Sequence, residues 1–473
     1  MTLRQWLIAP VASLVMGLPS TVSAVSPTVA ELVQMIQQHH PEYLAMQART
    51  DQVGGERDEA GAAFDLSVVQ ESYIRPSGYY DGAYAEQRLV QPLKSLNAQV
   101  FGSYRISTGE FPIYEANSET LDLGEASLGV KLSLLQNRDT DKRRMAQVTA
   151  AWRYMEAESK QQAQLNKLIY DGVSAYLGWY QSHQKLAVVQ NLVSLTENRL
   201  DGVQTRVNSG DLAQINLTEF KTTLLRRQLL EREARQRFEL ARQNLSYFWR
   251  TADTPDYQSD AIDTPPTNID WPFSMPSANG ESFKGAIDAH PGLAVLSAQV
   301  EQARNKRRLA QNETLPQLDL ELKLARDLGE GTEALTGTES MVGLSFSMPL
   351  GQRAAKAREA IADAEIRSLE YEQQVLREQL RRDLDLSLNA LDYARNILTL
   401  SRQQEALAET LLSQEQARFD EGVSDQFLLI TREKTALEAH LKTIDAQFDV
   451  LRHELALHAT LASLHAAEPL SDT

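Results

Sequence analysis

The chain has 473 residues, a formal net charge of -17 and no cysteine. Lacking a basic face to neutralise phosphates, it is not a nucleic-acid binder. The missing thiols exclude a disulfide framework, a cysteine nucleophile and Cys-ligated zinc. At 42% hydrophobic and 23% charged residues, the composition is that of a folded protein.

Arg4 precedes an apolar run from Trp6 to Leu18, and the small residues Val22-Ser23-Ala24 follow. This order reads as a secretory signal peptide, residues 1–24, cut after Ala24. The run is too short to span a bilayer. No later stretch is apolar and long enough for a transmembrane helix, so an exported, membrane-embedded chain would have to use β-strands.

His40-Pro41-Glu42-Tyr43 opens a long helix. A strand with irregular alternation is expected near Leu66–Ile74. The next fifty or so residues, Arg75–Glu125, are rich in aromatics (Tyr79, Tyr80, Tyr84, Phe111, Tyr114). Within them Ala98, Val100, Gly102, Tyr104 and Ile106 alternate with Gln99, Phe101, Ser103 and Arg105, which predicts an extra strand or hairpin. The pattern leaves open whether it joins a barrel or lies outside the cell. A cleaner strand follows, with Leu128, Val130, Leu132 and Leu134 on one face.

Prolines are absent between Pro112 and Pro255 and between Pro349 and Pro469. Proline disrupts helix interiors, so both regions are free to form very long helices. Each is interrupted once, at Arg206-Val207-Asn208-Ser209-Gly210 and at Arg418-Phe419-Asp420-Glu421-Gly422. A polar cluster closed by glycine ends a helix, so each region predicts a hairpin. From about Asp139 to Arg206 is roughly 65 residues, or about 100 Å of helix. Leu437, Leu441, Ile444, Phe448, Leu451 and Leu455 step by four and three, a seam for another helix. Leu230, Ala234, Phe238, Ala241, Leu245 and Phe248 do the same earlier, opposite Tyr170, Val173, Tyr176, Leu177 and Tyr180. An ordinary buried helix pair would show the same spacing.

The two turn glycines, Gly210 and Gly422, lie 212 residues apart, and the same offset relates Arg206 to Arg418 and Leu217 to Leu429. His290-Pro291-Gly292-Leu293 matches the earlier His-Pro opening. In the second half Leu318, Leu320, Leu322 and Leu324 alternate with polar residues, as do Val342, Leu344, Phe346 and Met348 with small ones. Such strands suit a wall that is apolar outside and wet inside, or a half-buried sheet in a soluble domain. The expected organisation is a first repeat over 25–250, a linker over 251–281, a second repeat over 282–465 and a tail over 466–473.

This order of elements resembles the TolC-like outer-membrane efflux family. The motifs that carry the resemblance are the two His-Pro openings, Leu315-Pro316-Gln317-Leu318, Met348-Pro349-Leu350-Gly351, Val173-Ser174-Ala175-Tyr176 and the two Arg-x-x-x-Gly turns. The resemblance implies a mainly α fold with a small β part: long antiparallel helical hairpins forming an α-barrel, joined to transmembrane β-barrel strands, internally duplicated and trimeric. It implies four strands per protomer in a twelve-stranded barrel. It also implies an outer-membrane location with a large periplasmic part, a periplasmic adaptor and an inner-membrane pump as partners, and no cofactor. By the same analogy Arg206, Val207, Gly210, Arg418, Phe419 and Gly422 face the adaptor.

Two departures stand out. Relatives often carry acidic residues six and nine places beyond the second tip glycine, where they constrict the pore. Leu428 and Thr431 stand there in this chain, Asn216 and Glu219 in the first hairpin, with Asp425 and Glu433 nearby. A constriction at Leu428 would gate by dewetting. The lipidated cysteine of many relatives is also missing.

No catalytic or metal constellation is recognisable. His453 and His458 are five apart, off the shared helix face that zinc needs, and neither a phosphate loop nor a Gly-x-Ser-x-Gly elbow is present. The sequence therefore points to a passive conduit for efflux of small molecules across the outer membrane. A pore-free periplasmic scaffold or adaptor, or a duct for polypeptide secretion, are the alternatives.

Overall fold

The computed structural model describes residues 26–95, 97–112, 118–273 and 280–464. The expected signal peptide, Tyr114 and the tail 466–473 lie outside them.

Among the described residues two helices come first. Helix α1 (Val29–His39) starts at a capping box in which Thr28 and Glu31 satisfy each other's backbone N–H groups. Helix α2 (Pro41–Ala62) starts at His40, whose Nδ1 accepts a hydrogen bond from the Glu42 amide at 3.3 Å, with Pro41 in the first turn. Four strands follow: β1 (Ser67–Arg75), β2 (Gly82–Pro92), β3 (Ala98–Gly109) and β4 (Glu125–Ser133).

Helix α3 (Lys142–Asn208) has 67 residues and is about 100 Å long. Asp141 caps it, its carboxylate accepting from the Arg144 amide at 2.9 Å. Helix α4 (Gln214–Ser246) returns alongside it. Next come α5 (Gly280–Asp288), α6 (Pro291–Asn312), β5 (Gln317–Asp327), β6 (Thr338–Ser347), α7 (Arg353–Asp420) and α8 (Gln426–Thr460). Helix α7, with 68 residues, matches α3 in length. His290 caps α6 as His40 caps α2, accepting from the Gly292 amide at 3.1 Å.

Each long helix is paired over one part of its length by the partner of its hairpin and over another by the helix that precedes the strands. Thus α3 packs on α4 and α2, and α7 packs on α8 and α6; α3 also joins the halves through α6 and α8. Where α1, α4 and α8 converge on α3 lies the main core, with Ile36, Ile169, Tyr176, Trp179, Leu245, Phe448 and Leu455 buried. The stretch after α4 girdles this level. Its Ala261, Ile262 and Phe273 enter the core, and its backbone is pinned where Thr267 O accepts from Tyr180 Oη at 2.8 Å and Ile262 O from Arg242 at 3.0 Å. The heptad seams are only partly the buried faces. Ile444, Phe448 and Leu455 are buried, but so are Ala436, Ala439, Thr443 and Ala446 on a second face. A wall helix touches neighbours on both sides, so one stripe does not describe it.

The strands form one antiparallel sheet in the order β1-β2-β3-β4-β5-β6. This overturns the four strands implied by resemblance: the described residues supply six, and 82–92 and 98–109, between Arg75 and Glu125, lie within the sheet as β2 and β3. Sequence patterning flags β3 but not β2, because Glu86-Gln87-Arg88 interrupts the alternation. Gln87 is satisfied across strands, its Nε2 donating to Gln70 at 3.4 Å, and Arg88 donates to Glu86 along β2 at 2.9 Å.

Candidate functional site

The sheet is inside-out. Pairing registers place Leu320 opposite Leu344, Leu322 opposite Val342 and Leu128 opposite Leu324 on one face. That face is bare: Val342 is 73% exposed, Leu344 67% and Phe346 66%. The other face carries the charges, and Glu125 and Asp319 there are only 6% and 5% exposed. Burial of polar groups is sustained by pairing. Glu125 takes Arg105 at 2.6 Å and Lys323 at 2.9 Å. Lys131 lies 3.8 Å from Asp319, and Ser103 and Ser127 share a hydrogen bond of 2.8 Å. Arg88 contacts Glu86 at 2.9 Å and lies 5.2 Å from the ring centre of Phe101. A polar inner face and an apolar outer face are what a membrane β-wall requires. No helix among the described residues is long and apolar enough to cross a membrane.

The far end of the molecule is built by the hairpin turns. Helix α3 ends with Gly210 at φ +87°, and α7 ends with Gly422 at φ +79°. In the first, the Asp211 amide donates to Arg206 O at 2.9 Å and the Gly210 amide to Val207 O at 3.1 Å. In the second, the Val423 amide donates to Arg418 O at 2.9 Å and the Gly422 amide to Phe419 O at 3.0 Å. Both are Schellman motifs, which close a helix by a left-handed residue. The arginine backbone carbonyls, rather than the side chains, are what the turns use. Both Arg206 and Arg418 are exposed, and Arg418 lies 3.7 Å from Glu415. Val207 packs on the small cluster of Val203, Leu217 and Phe220.

The residues considered for a constriction fall close to these turns. Asp425 caps α8, accepting from the Leu428 amide at 2.7 Å. Leu428 is half-buried, while Glu219 and Thr431 are exposed. Asn216 meets the second hairpin through its carbonyl, which accepts from Gln426 at 3.4 Å.

A group not foreseen from sequence lies further along the helical hairpins. Glu433 of α8 is buried and receives Arg227 of α4 at 2.6 Å and Arg199 of α3. Arg199 also donates to Gln416 of α7 at 2.5 Å, and Arg227 to Thr196. One ionic cluster thus ties the four hairpin helices α3, α4, α7 and α8. The only hint in the sequence is a charged residue inside an otherwise apolar helix face. Elsewhere Glu405, Glu409 and His440 bring ligand-type atoms within 4.8 Å of one another. The contact between His440 Nδ1 and Glu405 already satisfies that pair.

Two comparisons bear on this arrangement. Residues 284–463 match the family model described as outer membrane efflux protein. The chain shares its fold with solved membrane proteins over nearly its full length. A membrane protein from Pseudomonas aeruginosa is similar at TM-score 0.65 and 14% identity, covering 93% of each chain. The outer membrane protein VceC from Vibrio cholerae is similar at TM-score 0.65 and 14% identity, covering 92% of this chain and 96% of its own. The open-state MtrE channel of Neisseria gonorrhoeae is similar at TM-score 0.65 and 13% identity, with 93% and 90% covered. No curated protein matches this chain by sequence.

Proposed function

We propose that the protein is the outer-membrane conduit of a tripartite export system, a passive trimeric channel for small molecules. One observation carries the reading. The six-stranded sheet has an apolar outer face and a paired-charge inner face, and it sits at the end of hairpins about 100 Å long. A soluble scaffold would have no reason to expose Leu322, Leu324, Val342, Leu344 and Phe346 together. Two free sheet edges on a single chain call for further copies, because backbone N–H and C=O groups cannot be left open in lipid.

The helices continue the wall inward, and the paired turns at Gly210 and Gly422 form its periplasmic end. In this reading Arg206, Val207, Gly210, Arg418, Phe419 and Gly422 meet a periplasmic adaptor, and an inner-membrane pump supplies the energy. Residues near Asn216, Glu219, Asp425, Leu428 and Thr431 narrow the passage. No charged ring need be invoked at Leu428, where an apolar constriction excludes water. The repeats are taken as 25–250 and 282–465, joined by the linker 251–281.

The test is expression with the native leader, followed by outer-membrane fractionation, crosslinking and planar-bilayer recording. A threefold crosslinked species that conducts in bilayers is expected. A soluble monomer without conductance overturns the proposal.

A further inference from the structure

We propose that β2 and β3 are wall strands, so that three copies close an eighteen-stranded barrel in which β6 of one copy pairs with β1 of the next. The inference rests on the trimeric conduit reading and concerns the width of its outer mouth.

The hairpin cannot be a loop laid on a finished barrel. It separates β1 from β4: β2 is registered along all nine residues of β1, and β3 along both β2 and β4. It also follows the inside-out polarity of the other strands with few exceptions. By register, Ala85, Leu89, Val100, Tyr104 and Ile106 share the outer face with Leu128, where Gln87 and Gln91 are polar, and Glu86, Arg88 and Arg105 share the inner face with Glu125, where Val90 and Phe101 are apolar. Its own turn lies at the helix end of the sheet. Gln91 Nε2 donates to Phe64 O at 2.8 Å just before β1, and Lys94 sits over the Phe64 ring. Each of the two strands therefore spans the same slab as its neighbours. Their lengths of 11 and 12 residues are close to what a tilted transmembrane strand needs.

The occupant of the free edges is a second copy. In this meander β1 and β6 run in opposite directions, so β6 meets the β1 of an identical neighbour antiparallel. The two edge strands are alike in length, 9 and 10 residues, and every residue of β6 is exposed. Six strands fall short of the roughly eight needed to close alone, whereas eighteen lies within the even-numbered range of membrane barrels. With strands about 4.8 Å apart and tilted about 40°, eighteen close at a backbone diameter of about 36 Å and twelve at about 24 Å. The outer mouth then admits solutes that a twelve-stranded mouth excludes.

The test images the full-length protein, purified from the outer membrane into lipid nanodiscs, by electron cryomicroscopy without imposed symmetry. Because the chain has no cysteine, Leu89→Cys (outer face) and Gln99→Cys (inner face) each give a single label site. Eighteen strands in a threefold particle, with Leu89→Cys reacting at least tenfold more slowly than Gln99→Cys towards a water-soluble maleimide, are expected. A threefold particle with twelve wall strands, or equal labelling of the two sites, overturns this inference and leaves the conduit standing. A particle without threefold symmetry overturns the conduit reading, and this inference with it.

Discussion

The ring of Phe101 on β3 lies directly across from Gly129 on β4, in the space that a side chain at 129 would fill. The two are register partners. A Cβ at 129 would overlap the ring and stand 2.8 Å from Leu322 O. Glycine here is a packing requirement: it leaves a gap in the polar wall that the aromatic ring closes.

Gly129→Ala is expected to destabilise the folded protein by about 1–3 kcal/mol, the usual cost of overpacking. Phe101→Leu on top of it should recover part of the loss by removing the clash. Thermal unfolding of the two single variants and the double variant checks this. Additive losses would show that the two residues do not compete for one space.

Glu433 is the buried anchor for two guanidinium groups. Breaking a buried ion pair from one side costs about 3–5 kcal/mol, because the remaining charge stays desolvated. Glu433→Gln should fall at or below the lower end, since the amide still accepts hydrogen bonds and Arg199 is one-third exposed. Amide exchange should accelerate in α3, α4, α7 and α8 around the cluster and not in the sheet. Denaturant unfolding with site-resolved exchange measures both effects.

The glycines at the hairpin turns have no neighbour within 4 Å of an added Cβ, so only backbone strain opposes substitution. Gly210→Ala and Gly422→Ala should each cost about 1–2 kcal/mol, the penalty for a left-handed alanine. Asparagine, which tolerates that conformation better, should cost less at either site. Hydrogen exchange at the Asp211 and Val423 amides, which close the two turns, is the sensitive readout.

His40 and His290 both cap helices by accepting through Nδ1, which requires the unprotonated ring. Burial pushes both imidazoles below their ordinary value of 6.5, and Arg250 adds to the effect at His40 against an opposing Glu42. A folded-state pKa below the unfolded one means that the unfolded chain binds the proton first. The caps therefore contribute fully above pH 6.5, and their contribution declines as pH falls from there towards the lowered folded value. His40→Asn and His290→Asn, which keep a capping side chain, should flatten the pH dependence of stability between pH about 5 and 7. Melting temperatures of the wild type and the double variant across that range test it.

Much of this architecture is local and therefore legible in the chain. Proline-free stretches hundreds of ångströms long in total allow uninterrupted helices. The glycines at 210 and 422 mark the turns because no other residue adopts a left-handed conformation as cheaply. The strict alternation of Leu318 to Leu324 and Val342 to Met348 declares β5 and β6, since both strands present one unbroken apolar face. In each case the signal is the residue's own backbone preference or its period along one element.

What the tertiary structure alone decided is every relation that depends on a distant partner. Strand β2 is invisible to alternation because Gln87 lies on its outer face, where Gln70 of β1 satisfies it. The strand count, and with it the size of the barrel, follows from pairings that hydropathy does not record. Glu433 looks like one more solvated charge until the fold brings Arg227, from more than 200 residues earlier, to its carboxylate. Periodicity reports how one element meets its surroundings; which element provides those surroundings is fixed only when the backbone pairs and the buried charges find each other.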